Sequence, residues 1–318
     1  MIRRRPFLAL LAAGGALAQA PDTWPSRPVR IVTPTPPGVG SDTFARFYAE
    51  RLGKALGVSV VVENKPGALA TLGTDAVAKA APDGYTVLFS VSNPFTLAPF
   101  LMAKVPYNPQ VDLLPVTQAL RGGSFIVAGP AAPVKSLREL VDAARARPKG
   151  ISYASYGPGS TSHVGMELLQ DAAGIELLHV PYKQGALPDV MGGQVMLGFE
   201  PAVSALPHIR SGKLRAIAYT GDKRSPAQPD VPTMSELYPG VEMISWIGFW
   251  VPAKTPAAIV QRLHKEVSAI TQSAEMQKMI ADAGLEPAST TPEQTAAIVK
   301  KDAEVMGRLV KAKGIRLE

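Results

Sequence analysis

The sequence contains no cysteine, which excludes disulfides, thiolate nucleophiles, Cys-ligated zinc and iron–sulfur clusters. Aromatic residues make up only 6% of its 318 positions, little material for stacking nucleic-acid bases. Charged residues are also sparse, at 19%, and they are interspersed. Residues 135–149 carry basic side chains but also Glu139 and Asp142, the pattern of a solvated helix face and not of a stripe for nucleic acid. Enzyme signatures are missing: there is no G-x-S-x-G elbow, S-x-x-K, H-E-x-x-H or P-loop. His163, His179, His208 and His264 are scattered without metal-ligand spacing. Neither a catalytic group, a metal nor a cofactor is expected.

What is present begins with an export signal. Arg3, Arg4 and Arg5 precede an uncharged apolar run from residue 7 to 18, too short for the ~20 residues of a membrane span. Small residues follow at the spacing of a cleavage site, so residues 1–20 are expected to be a signal peptide cut after Ala18 or Ala20. The pair Arg4-Arg5 also fits a loose twin-arginine pattern, which leaves the export route open. The formal charge of +7 changes with processing: 33 basic residues less these three arginines, against 26 acidic ones, leaves +4. No later run is apolar for long enough to cross a bilayer, so the mature chain is expected to be exported and soluble.

Beyond residue 20 strands and helices alternate. Strands are expected at 29–33, 58–62, 86–90, 125–128, 151–154, 177–180, 195–199 and 214–219, with helices at 41–56, 72–80, 136–146 and 161–172. Thr255-Pro256 and Thr291-Pro292 each offer an N-cap threonine before a proline, and Gln294 completes a capping box with Thr291. The alternation predicts an α/β protein with largely parallel sheets. At about 300 mature residues, two lobes are expected.

Three strand-to-helix junctions are built from glycine, proline and small hydroxyl residues, at 34–42, 64–71 and 153–163. Each places unpaired backbone N–H groups at a helix N-terminus, where the helix dipole favours a carboxylate or phosphate. In open α/β sheets such junctions lie at the carboxyl ends of strands, where ligands bind.

The mature chain resembles the substrate-binding proteins of tripartite tricarboxylate transporters, the Bug receptors, from about Trp24 to its C-terminus. The resemblance rests on Trp24-Pro25-Ser26-Arg27-Pro28, the loop at 34–42, Val61-Val62-Glu63-Asn64-Lys65-Pro66-Gly67, Ala81-Pro82-Asp83-Gly84-Tyr85, Val180-Pro181-Tyr182-Lys183, Gly192-Gly193-Gln194-Val195 and Pro229-Asp230-Val231-Pro232-Thr233. It implies a two-lobed Venus-flytrap fold of the periplasmic-binding-protein type, each lobe a mainly parallel sheet flanked by helices. Residues 21–122 with 247–318 would form one lobe and 123–246 the other. It further implies a monomer in the periplasm that binds a small carboxylate, hands it to membrane transporter subunits and has no enzymatic activity or nucleic-acid partner. A ligand sensor would use the same cleft. A hydrolase on this fold would need Ser155 or Ser162 with His163.

By position, the resemblance implies one jaw from Pro37, Gly38, Val39, Gly40, Ser41 and Asp42, with Ala68, Leu69, Ala70 and Thr71 beside it and Ser90 and Ser92 at a strand end. The facing jaw would comprise Ser155, Tyr156, Thr161, Ser162 and His163. Asp42 is expected either to orient a bridging water or ligand donor or to cap its helix. The departures from the family pattern bear on the ligand. Val39 and, after Ala68, Leu69-Ala70 stand where glycines are usual, Glu200-Pro201 where Asp-Asn is common, and the loop at 182–187 is shortened. A buried Glu200 needs a partner or a raised pKa, so it is expected to meet a ligand ammonium, fill the cleft or pair with a cation. Together the changes imply a less polar cleft, suited to an aromatic or alkyl carboxylate.

Overall fold

Ile31 and Val32, successive β-branched residues that point to opposite faces of one strand, are both fully buried, as covering both faces of a sheet requires. The computed structural model describes residues 24–182 and 185–315. The expected signal peptide, and Lys183 and Gln184 of the shortened loop, lie outside the described residues. The strands are β1 (Val29–Thr33), β2 (Val60–Asn64), β3 (Thr86–Val91), β4 (Leu113–Gly122), β5 (Ser124–Ala128), β6 (Ser152–Ser155), β7 (Leu178–Pro181), β8 (Leu197–Pro201), β9 (Arg215–Tyr219), β10 (Ser245–Pro252) and β11 (Glu286–Pro287). They form two sheets, one in the order β11-β4-β10-β3-β1-β2 and one in the order β7-β6-β8-β5-β9. The molecule is a two-lobed α/β protein with helices flanking each sheet.

Each sheet keeps a common strand direction except at one inner strand, and the two-residue β11 is also reversed at the edge of the first. β1 pairs in parallel with β2 and β3, but β10 runs antiparallel between β3 and β4. Likewise β6 pairs in parallel with β7 and β8, while β5 runs antiparallel between β8 and β9. These two reversed inner strands are the first that the chain enters after crossing from one sheet to the other. β10 begins at Ser245, so Ser245 and Trp246, assigned to the second lobe from sequence, belong to the first sheet.

β4 and β10 are absent from the sequence reading. Pro115 and the polar pair Thr117-Gln118 interrupt the apolar pattern of one, and Gly248 interrupts the other. Register shifts between the two strands flank Gly248, where a Cβ would lie 2.5 Å from the Thr117 carbonyl oxygen. At this irregularity the Gln118 N–H donates to Thr290 Oγ1 (2.9 Å) and Thr117 Oγ1 donates to the Thr290 carbonyl (2.9 Å). A loop from a distant part of the chain thus satisfies polar groups that the ladder leaves over.

Thr291 and Gln294 form the expected capping box at the start of helix Pro292–Lys313. Thr255 does not cap: Pro256 itself precedes helix Ala257–Thr271, and the Thr255 hydroxyl donates to the Pro252 carbonyl (2.8 Å). The first lobe's core centres on Tyr48, Phe89 and Phe249, with ring centroids 4.7–5.6 Å apart. Helix Pro292–Lys313 starts against this lobe and ends on the other. Its Met306 and Val310 pack in the cluster of Val164 and Met166, and Lys313 pairs with Glu167 (3.3 Å) and Asp171.

Candidate functional site

The N-termini of three helices meet at a cavity of about 410 Å³ between the sheets. They belong to Gly40–Leu56, Thr161–Ala173 and Ala202–Arg210, which follow β1, β6 and β8. All three strands end on the cleft side, so each following helix presents its unpaired N–H groups there. The jaws are in contact: Thr161 Oγ1 donates to Asn93 Oδ1 across the cleft (3.0 Å), and a Cβ on Gly40 would lie 3.4 Å from Val203.

At the first helix the N-cap Val39 has no side-chain acceptor, leaving the Gly40 and Ser41 end open to the cavity. Asp42 faces away from it. Its carboxylate accepts from the Gly38 N–H (2.9 Å), Arg46 Nε (3.0 Å) and Asn64 Nδ2 (2.8 Å). Burial alone would raise this carboxyl's pKa, but the bonds from Arg46, Gly38 and Asn64 outweigh it and hold the group below the ordinary aspartate value. Asp42 therefore clamps the Gly38 turn, which has φ +82°, onto the helix.

The second helix is capped by Ser160, whose Oγ accepts from the His163 N–H (3.3 Å). Ser162 Oγ accepts from the Tyr156 N–H (3.0 Å), which fixes the Tyr156 backbone at the cavity edge. The third helix start, Ala202-Val203-Ser204, follows Pro201 at the N-cap position. Between the helix ends the wall is apolar, with Phe44, Phe199, Trp246, Ile247 and Leu285. Trp246 is fixed by its indole N–H, which donates to Asp302 Oδ2 (2.8 Å). Among the described residues Arg121 is the one cation on the wall, paired with Asp222 at 2.6 Å, and no carboxylate lines it.

Of the residues expected at the site, Val39, Gly40, Ser41, Ser92, Tyr156, Thr161 and Ser162 line the cavity. Pro37, Gly38, Asp42, Ala68, Leu69, Ala70, Thr71, Ser90, Ser155, His163 and Glu200 do not. Ala68, Leu69 and Ala70 form a turn in which all three residues have positive φ (47°, 53° and 69°), held by Thr71 Oγ1 donating to the Ala68 carbonyl and Thr74 Oγ1 to the Ala70 carbonyl. Leu69 packs against the cluster containing Leu97 and Met166 instead of entering the cavity. Ser90 is buried and donates to the Val91 carbonyl (3.0 Å).

Ser155 pairs with His179, not His163, with Oγ and Nε2 2.6 Å apart, and it also accepts from the Gly157 N–H (3.0 Å). His163 Nδ1 accepts from the Gly159 N–H (3.0 Å), and its ring stacks on His179 with centroids 4.2 Å apart. Burial lowers both imidazole pKa values, that of His179 to about 4, so both are neutral at pH 7. The serine–His163 pairing that a hydrolase would need is not formed. No group of three or more His, Asp or Glu side chains among the described residues is placed to hold a metal ion. No helix among them is long and apolar enough to cross a membrane.

Glu200 lies on β8, 2% exposed, and accepts from the Tyr156 hydroxyl at 2.6 Å. Burial pushes its carboxyl up to about 7, against the opposing effect of that hydrogen bond. Its contact is thus a cavity-lining side chain of the same lobe.

The family model described as "Tripartite tricarboxylate transporter family receptor" matches residues 44–315. The chain belongs to this family. It is 36% identical to BugT of Bordetella pertussis over 313 residues, spanning 97% of this chain and 96% of that protein. The structure of R. palustris Rpa4515 with adipate superposes with a TM-score of 0.83 at 31% identity, covering 92% of this chain and 99% of that one. MatC from Rhodopseudomonas palustris, with bound malate, gives 0.77 at 30% identity and covers 90% and 100%.

In this receptor the sequence reading misses the third helix N-terminus, Arg121 and the aromatic wall. Pro201 conceals the first: a proline after a strand reads as a lost donor, yet at an N-cap the missing N–H costs nothing. Arg121 and Trp246 sit on the two strands that the periodicity does not disclose.

Proposed function

We infer that this chain is a periplasmic solute-binding receptor that captures a small carboxylate between its lobes for a transporter of the tripartite tricarboxylate type. The observation that carries the reading is the meeting of three helix N-termini at a cavity whose remaining wall is mainly apolar, with Arg121 its one cation among the described residues. Oriented N–H groups offer an anion preorganised donors and partial positive charge without an immobilised cation. The apolar wall suits the alkyl or aromatic remainder of the ligand, and about 410 Å³ is in the range of small-molecule sites. The adipate in Rpa4515 and the malate in MatC support the carboxylate class. The chain up to residue 122 and from residue 245 onward acts as one jaw and 123–244 as the other, and ligand capture, not turnover, is the activity.

The test is a thermal-shift screen of the chain from residue 21 against mono-, di- and tricarboxylates, aromatic acids and amino acids, followed by titration calorimetry. A ligand at 100 times its Kd stabilises the protein by about 2.7 kcal/mol, a shift of several degrees at most for a chain of this size. Stabilisation by none of the carboxylates would refute the assignment. Export is tested separately, by fractionating cells that express the full chain and reading the N-terminus of the released protein.

A further inference from the structure

We propose that Tyr156 and Glu200 form a specificity-determining pair, in which the Tyr156 ring decides which carboxylates fit and Glu200 is the positioning residue that holds it. The proposal rests on the carboxylate-receptor reading above.

Tyr156 stands directly after β6, and its N–H donates to Ser162 Oγ, so the backbone is tied to the start of helix Thr161–Ala173. The following loop turns through Gly157 and Gly159, at φ +102° and +71°, and leaves the tyrosine side chain on the cavity wall, 41% exposed. Its hydroxyl reaches Glu200, one residue before the N-cap of helix Ala202–Arg210. The phenol therefore spans two of the helix N-termini that converge on the cavity, and its far end is fixed by one bond.

Glu200 itself is fixed, because β8 is held by β5 through the Phe125–Glu200 register and by β6 on its other side. Burying a carboxyl is unfavourable unless it is hydrogen-bonded, and here the donor comes from a wall of the cavity. A rigid ring at that wall limits the length and breadth of the ligand. The hydroxyl also takes up an acceptor that an ammonium could use. The pair accordingly favours alkyl or aromatic acids without an amino group.

Calorimetric titration with succinate, glutarate, adipate, pimelate and benzoate, and with aspartate and glutamate as amino-bearing probes, tests this. Glu200→Gln keeps an oxygen to accept from the hydroxyl and is expected to retain the wild-type order of affinities. Tyr156→Phe and Glu200→Leu are each expected to change the ratio of the longest to the shortest bound ligand by about fivefold, the size of one lost hydrogen bond. Tyr156→Phe, which frees the Glu200 acceptor, should also gain affinity for the amino-bearing probes. The double variant Tyr156→Phe/Glu200→Leu should show no further change in the ratio, because the two residues act through one contact.

A purely structural role would weaken every ligand by one factor. That result, or an equal effect of Glu200→Leu with and without the Tyr156 hydroxyl, overturns the pair while leaving the receptor reading intact. Absence of binding by the unsubstituted protein to every acid in the screen overturns the receptor reading, and the pair with it. Tyr156→Phe preserves the ring, so one informative variant remains if Glu200→Leu does not fold.

Discussion

Glu200→Gln should stabilise the protein increasingly as the pH rises from 4 to 8. In the fold the carboxyl titrates at about 7, because burial disfavours its charged form, whereas the ordinary glutamate value is 4.5. Between these values the native state holds a proton that the unfolded chain has released, so raising the pH favours unfolding. The stability associated with the protonated carboxyl is complete below about 4.5, is lost progressively as the pH rises to about 7, and changes little beyond. At about 1.4 kcal/mol per pKa unit, the interval corresponds to about 3 kcal/mol. Solvent screening takes little from it, since Glu200 is 2% exposed. Glutamine does not titrate and still accepts from Tyr156. Urea unfolding of both proteins from pH 4 to 8.5 gives the difference directly, because the other ionisable groups are common to both. The advantage of the glutamine variant should grow by about 3 kcal/mol across the series. A difference that is constant with pH, or that shrinks as the pH rises, would refute the reasoning.

Thr161→Val removes the bond to Asn93 that joins the jaws, worth about 1 kcal/mol net, and should weaken the carboxylate that gives the largest thermal shift by about fivefold in calorimetry. Gly165→Ala places a Cβ 2.5 Å from Phe199 Cε2, so urea unfolding should register a loss of about 1–3 kcal/mol, with weaker binding because Phe199 walls the cavity. Ala70→Gly relieves left-handed strain of about 1–2 kcal/mol but frees the unfolded chain by about 0.4–1 kcal/mol, so its melting temperature should equal or exceed the native value while that of Ala70→Val falls below it. Thr291→Ala deletes a capping box and should cost about 1 kcal/mol in the same unfolding assay.

The features legible in the sequence are those written locally. β1, β6 and β8 are strand-length segments with apolar centres, Ile31 and Val32, Tyr153 and Ala154, and Leu197 and Phe199, closed by turn residues, and two of the three cavity-lining helix starts carry glycine and serine in the preceding loop. What is not legible depends on partners far along the chain. Thr117 and Gln118 look wrong for a central strand until Thr290 is seen bonded to them. Ser155 and His163 are close in sequence, yet the fold gives Ser155 to His179, which β7 brings alongside β6. Asp42 offers two roles as a residue type, and only the three donors around it show that it is a clamp. Glu200 is a residue type that needs a partner once buried, and only the fold shows that the partner is Tyr156.

The place of β10 in its sheet governs the order in which the protein can be assembled. β5 to β9 come from one continuous stretch of chain, so the five-stranded sheet can form once Tyr219 has emerged. β3 and β4 are joined into one sheet only when β10, made after that whole stretch, enters between them. The six-stranded sheet therefore waits for the other to be synthesised, and its closing contacts have the long sequence separations that slow folding. A chain ending before Ser245 would carry β3 and β4 with unpaired edges and nothing to separate them from the edges of another copy.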